Sequence, residues 1–120
     1  MDYSKLSDQE INVAVAEIFH PDSVVIESKS IPPSACITGH LPSLWVDYCN
    51  NPADAWPIIV DNRISLLSVE CLNGDISWLA KNKACPSRGD KNPLRAAMIV
   101  YLQMQESANV QTNPARPDIR

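Results

Sequence analysis

Ile64-Ser65-Leu66-Leu67-Ser68-Val69-Glu70-Cys71-Leu72-Asn73-Gly74-Asp75-Ile76-Ser77-Trp78-Leu79-Ala80-Lys81 is the most ordered pattern in the chain. Two β-prone runs flank Asn73-Gly74, the pair preferred for a two-residue type I′ hairpin turn. With those two residues as the turn, Cys71 faces Ile76, Val69 faces Trp78 and Leu67 faces Ala80. Each of these pairs is apolar on both sides, whereas Glu70 meets Ser77 on the opposite face. A slip of one residue would carry Ser68 and Glu70 to the buried face, because side chains alternate along a strand. The stretch therefore predicts an antiparallel hairpin with Trp78 in the core.

Helix starts stand on both sides of this hairpin. Upstream, Asn51-Pro52-Ala53-Asp54 places a capping Asn before a Pro at the first helical position, with an acid near the positive end of the dipole. This predicts a helix to about Asn62, with Trp56, Ile59 and Val60 on one face. Pro57 falls in its second turn, where it removes a backbone bond. Downstream, Asn92-Pro93 repeats the device. Leu94, Ala97, Met98, Tyr101 and Leu102 share one face of the predicted last helix, Ile99 and Val100 widen it, and the pattern fades near Ala108.

The N-terminal part begins with a helix over Ser7–Phe19. Ser7 and Glu10 have capping-box spacing, and Leu6 and Ile11 have that of a hydrophobic staple. Ile11, Ala14, Val15, Ile18 and Phe19 form the predicted apolar face, and His20-Pro21 ends the helix. Ser23–Ser28 and Leu44–Tyr48 read as strands that pair with each other. Between them, residues 29–42 hold Pro32, Pro33, Gly39 and Pro42 and read as an insert loop. Residues 109–120 are polar and read as a disordered tail. The expected order is helix, strand, strand, helix, strand, strand, helix. It makes an α+β domain over residues 1–108: an antiparallel four-stranded sheet with three helices, as two layers or as an α-β-α sandwich.

Composition narrows the function classes. Apolar residues are 45% and charged residues 20% of the 120, which excludes a wholly disordered chain. No apolar run approaches the ~20 residues that span a bilayer, and Met1–Lys5 lacks a signal-peptide pattern, so the expectation is a cytoplasmic protein without a membrane partner. In that setting Cys36, Cys49, Cys71 and Cys85 are expected as reduced thiols. Their spacing, even with His40 beside Cys36, suits no structural zinc site.

The net charge of −4 is uneven. Residues 1–80 carry 3 basic and 11 acidic side chains, and residues 81–120 carry 7 basic and 3 acidic. Five of the basic residues fall in 81–95, just before the last helix. A helix start offers free N–H groups to an anion, so Lys83, Arg88, Lys91, Asn92 and Arg95 are the candidate anion site, for a phosphate-bearing small molecule or a nucleotide. The negative total opposes nonspecific nucleic-acid binding. His20 and His40 lie in no nucleophile motif, and phosphate-binding Gly-rich loops are absent among 3 Gly. The carboxylate pairs Asp47 with Asp54 and Asp54 with Asp61 read as capping and solvation. No catalytic residue, cofactor or metal is therefore expected.

Four blocks carry a resemblance: Met1-Asp2-Tyr3-Ser4-Lys5-Leu6-Ser7-Asp8, Asp47-Tyr48-Cys49-Asn50-Asn51-Pro52-Ala53-Asp54-Ala55-Trp56-Pro57-Ile58-Ile59, Asn62-Arg63-Ile64-Ser65-Leu66, and Lys91-Asn92-Pro93-Leu94-Arg95-Ala96-Ala97-Met98-Ile99-Val100. In them the chain resembles the NinX-type family of lambdoid phage and prophage proteins, over most of residues 1–108. The family is similar in layout to small phage proteins with an α-β-α sandwich. The resemblance implies a phage accessory protein acting in the bacterial cytoplasm and brings no activity or cofactor. The expected function is non-enzymatic binding to a host or phage protein. Sequestering a small anion and a cryptic enzyme activity are the alternatives, and a homodimer is compatible with each.

Overall fold

A computed structural model describes residues 2–39, 43–83 and 85–111, with side chains throughout except at 85–88 and 109–111. A short 3-10 turn at Tyr3–Lys5 leads into α1 (Asp8–Phe19), β1 (Val25–Glu27), β2 (Ala35–Ile37), β3 (Leu44–Val46), α2 (Pro52–Asp61), β4 (Ser65–Glu70), β5 (Ile76–Asn82), β6 (Cys85–Asp90) and α3 (Pro93–Gln111). The α+β class and the three helices stand. The single four-stranded sheet does not: the strands form two separate three-stranded antiparallel sheets, β1-β2-β3 and β4-β5-β6. The helices join them, because α1 packs on β1, β2 and α3, while α3 packs on β5 and β6.

Two strands escape the sequence pattern. β2 lies inside the expected insert and sits between β1 and β3, which therefore do not pair with each other. Its three residues are all buried, Ala35 and Ile37 beneath the sheet and Cys36 on the other side. β6 lies inside the expected basic loop and pairs with β5 across a register shift between Ala80 and Asn82. The remainder of the expected insert at 40–42 and of the expected tail at 112–120 lies outside the described residues.

The hairpin forms, one residue out of the expected register. Leu66 faces Ala80, Leu67 faces Leu79, Ser68 faces Trp78 and Glu70 faces Ile76. The loop holds three residues, not two: Gly74 N–H donates to Cys71 O at 2.9 Å, and Cys71 N–H donates to Asp75 O at 2.7 Å. Gly74 alone among the loop residues has a positive φ, +90°, whereas a type I′ turn needs two. Asn73 instead accepts from Asp75 N–H at 3.0 Å and donates to Asp75 Oδ2 at 3.0 Å. Ala80 is buried and Leu66 half-buried on the face toward α3, yet Ser68, Glu70 and Ile76 on that face are exposed. The distal half of the hairpin thus lies beyond the cover of the core. Trp78 is half-buried, short of the core position expected for it.

Two helix faces are also rotated from expectation. α1 buries Ile11, Asn12, Val15 and Ala16, whereas Ile18 and Phe19 are exposed. α2 buries Ala55, Ile58 and Ile59, and Trp56 and Val60 face solvent. Exposure on that side explains Pro57: the N–H it lacks would have bonded the carbonyl of Ala53, which lies at the surface. The caps are as read. Ser7 Oγ accepts from Glu10 N–H at 3.1 Å and Glu10 Oε1 accepts from Ser7 N–H at 2.8 Å. Asn51 Oδ1 accepts from Ala53 N–H at 3.0 Å, above Pro52 at the start of α2. In α3 every residue from Ala96 to Leu102 is buried.

Candidate functional site

Arg95, one of the five candidate anion ligands, lies on the first turn of α3, and its guanidinium is turned inward. Nη1 donates to Asp8 Oδ1 at 2.7 Å, Nε to Asp90 Oδ2 at 3.0 Å, and Nη2 to the carbonyls of Ser4 and Leu6 at 3.0 and 2.7 Å. Burial opposes its charge, but the hydrogen bond it donates to Asp8 and the charges of Asp90 and Asp8 outweigh this and hold its pKa above the ordinary value. A guanidinium so engaged is a brace between the N-terminus, α1 and α3.

Asn92 is likewise committed. Its Oδ1 accepts from Leu94 and Arg95 N–H groups at 2.9 and 3.2 Å, which caps α3. Its Nδ2 donates to Cys49 O at 2.7 Å, and its own N–H donates to Asp90 Oδ1 at 2.9 Å. The helix N-terminus expected to take an anion is therefore filled by a protein amide, with Asp90 beside it.

The network continues through Asn50, whose Nδ2 lies 3.1 and 3.2 Å from the two oxygens of Asp47 and 3.3 Å from Asp8 Oδ2. It ends at Asn12, wholly buried on α1. Asn12 donates to Asp47 Oδ1 at 2.9 Å and Pro33 O at 3.0 Å, and accepts from Cys49 N–H at 3.2 Å. Asp54 Oδ2 accepts from Asp47 N–H at 3.0 Å, so this carboxylate pair holds the turn before α2. Cys49 is buried, and burial followed by the charge of Asp8 pushes its thiol well above the ordinary range. Burial and then Asp54 do the same to the phenol of Tyr48.

The other candidates are dispersed. Lys91 is exposed. Arg88 belongs to β6, opposite Ala80, and its side chain is outside those described. Lys83 is exposed and lines a cleft of about 590 Å³ with Asp61, Asn62, Arg63, Asn82 and Met104. Arg63 has a φ of +52° there, and Asn82 Nδ2 holds Asn62 O at 2.7 Å. His20 closes α1 and meets the edge of Phe19 at 5.7 Å, while His40 lies outside the described residues. Among the described residues, no group of three or more His, Cys, Asp or Glu side chains is placed to hold a metal ion, and no helix is long and apolar enough to cross a membrane.

A surface that sequence reasoning missed lies on the outer face of the first sheet. Pairing puts Ile26, Cys36 and Trp45 in one row across β1, β2 and β3. Cys36 is covered, but Ile26 is 51% and Trp45 46% exposed, and Val24 beyond the end of β1 is 66% exposed. A cleft of about 390 Å³ opens beside the row, with Glu27, Ser28, Lys29 and Ser30 on its polar side. The signal is the continuous apolar run Val24-Val25-Ile26, which puts apolar residues on both faces of a strand. Without β2 in the reading, nothing assigned one of those faces to solvent.

These features define a class: a small α+β protein with two three-stranded sheets joined through its helices and one arginine bracing the chain start to the last helix. The chain belongs to the family described as Bacteriophage P22, NinX, whose family model matches residues 2–105. All four blocks quoted above lie within or overlap that match. No curated protein and no solved structure matches the chain.

Proposed function

We propose that the chain is a non-enzymatic binding protein that acts in the bacterial cytoplasm on a host or phage protein, through the outer face of the first sheet. The observation that carries this reading is the exposed row of Ile26 and Trp45 beside a cleft. Tryptophan next to a concave apolar surface is a common anchor of protein interfaces. The partner it fits has a basic rim around an apolar anchor, because residues 1–80 carry an excess of 8 negative charges. The groups with chemical potential support the same reading. Arg95, Asp8, Asp47, Asp54 and Asn92 hold one another, and burial keeps the Cys49 thiol protonated.

The test replaces Trp45 with a photo-crosslinking phenylalanine in infected bacteria. The expected result is one discrete protein adduct, absent when the probe sits at exposed Glu17 on α1. The purified partner should bind the wild-type chain with salt-sensitive affinity and lose it with Ile26→Asp. Equal labelling at both probe positions, or binding untouched by Ile26→Asp, overturns the reading.

The 590 Å³ cleft supports a second reading, sequestration of a small anion. It sets Lys83 and Arg63 and two amides against one carboxylate, Asp61. On this reading inorganic phosphate or a nucleoside triphosphate raises the melting temperature, and Lys83→Ala abolishes the rise. A flat response to both ligands rejects it.

A further inference from the structure

We propose that the free edge of β4 pairs with β4 of a second copy of this chain, in one antiparallel register. A sheet edge presents unpaired N–H and C=O groups, and proteins blunt such edges by shortness, Pro, charge or bulges. β1 and β3 are three residues each. β6 contains Pro86 and meets β5 across a register shift. β4 is neither short nor bulged, has no Pro, and carries its one charge, Glu70, at its very end. It runs six residues, Ser-Leu-Leu-Ser-Val-Glu, in unbroken register with β5 and, among the described residues, has no strand on its other side.

The hairpin geometry says which groups are free. Cys71 N–H bonds Asp75 O, and bonded positions alternate along an antiparallel pair. Val69, Leu67 and Ser65 therefore bond β5, and Leu66, Ser68 and Glu70 turn their backbone groups outward. Among the described residues none of the latter three has a backbone bond outside its own strand pair.

A second copy fits this edge because the strand is complementary to itself. With Ser68 on a two-fold axis, Ser68 pairs with Ser68 of the second copy and Leu66 with Glu70, which supplies on the order of six backbone hydrogen bonds. Between those bonded pairs, Leu67 meets Val69 of the second copy at the close, non-bonded positions. Leu67, 61% exposed in the single chain, is then covered by an apolar neighbour on each side, since Leu79 already faces it across β5. Glu70, the one charge in the strand, meets leucine and not its own counterpart. The two sheets merge into one continuous antiparallel sheet with β4 at its centre.

The experiment is sedimentation equilibrium on the full chain, with two variants. The expected wild-type mass at ~100 μM is twice 13.3 kDa. Leu67→Lys sets a charge against the apolar pair and raises the dimer dissociation constant at least ten-fold. Ser68→Cys, in a Cys71→Ser background, gives an interchain disulfide on oxidation. Glu70→Cys in the same background does not, because the two Glu70 positions lie apart in this register. Far-ultraviolet circular dichroism verifies that each variant is folded. A wild-type monomer at that concentration, a dimer indifferent to Leu67→Lys, or crosslinking at Glu70→Cys equal to that at Ser68→Cys overturns the proposal.

Discussion

Arg95→Met removes a guanidinium whose partners are 87 to 91 residues away along the chain, apart from Asp90, and keeps most of the aliphatic stem. Two of the lost interactions are ionic, to Asp8 at 2.7 Å and Asp90 at 3.0 Å. A hydrogen bond involving a charged group contributes about 1.5–3 kcal/mol net, and stripping one partner from a fully buried pair costs about 3–5 kcal/mol. Here the Arg95 side chain is 14% exposed, and Asp8 and Asp90 are 33% and 20% exposed. Both acids also keep amide donors, Asn50 for Asp8 and the Asn92 N–H for Asp90. Water and these donors absorb part of the loss, so the expected cost is about 3 kcal/mol, the low end of the buried-pair range. Arg95→Lys recovers only part of it, because an ammonium lacks the planar fork that reaches two acids and two carbonyls together. Urea denaturation followed by tryptophan fluorescence reads the cost as a shift of midpoint at unchanged slope. A double-mutant cycle with Asp8→Asn should give a coupling of about 1–2 kcal/mol, within the range for contacting residues. A cost below about 1 kcal/mol would put the guanidinium in solvent, free for an anion, and the bracing argument would fall with it.

Asn12→Leu should destabilise by about 1–3 kcal/mol despite similar volume, because the Cys49 N–H is left buried without an acceptor; an unchanged urea midpoint would contradict this. Alkali should weaken the fold. The folded state keeps Cys49 and Tyr48 protonated above their ordinary values of 9.0 and 10.0, so the unfolded state releases those protons first. Stability is then whole below pH 9.0 and falls as pH rises, by about 1.4 kcal/mol per pH unit for each group above its ordinary value. Tyr48→Phe should make the decline shallower above pH 10.0, and a profile flat to that point and beyond speaks against the buried placement. Gly74→Ala should cost about 1–2 kcal/mol through its φ of +90°, since no atom lies within 4 Å of the added methyl. A neutral effect on the urea midpoint would mean that residue 74 does not hold the left-handed conformation.

The legible parts of this fold are those whose physics spans a few residues. Ser7 with Glu10, Asn51 before Pro52 and Asn92 before Pro93 each cap a helix within one turn, so reading them needs no knowledge of the fold. The buried run of α3 was also plain, because its apolar stripe is too wide for any surface helix. β2 was hidden because Ala35-Cys36-Ile37 is too short to show a period and stands among prolines. β6 was hidden because Cys85-Pro86-Ser87-Arg88-Gly89-Asp90 has no strand pattern at all; pairing with β5 makes it a strand. The hairpin register failed for a subtler reason. The apolar pairing rule assumes that the inner face is covered along its whole length, and here the cover ends before Ser68 and Glu70.

The candidate site divides in the same way. Its basic residues were visible as a charge asymmetry, and their destinations were not. Arg95 and Asn92 turn inward because acids and carbonyls from the N-terminus and the turn before α2 converge on them. Lys83 turns outward to join Arg63. Side chains far apart in sequence acquire a shared role only when the backbone brings them together, and no local rule carries that distance. Local chemistry along the chain suffices for the α+β class, the three helices and their caps, and the existence of the hairpin, though not its register. Long-range packing settles that there are two sheets, which helix faces are buried, that Arg95 is a brace, and that Trp45 is part-exposed on an open sheet face, because each depends on residues brought together from distant parts of the chain.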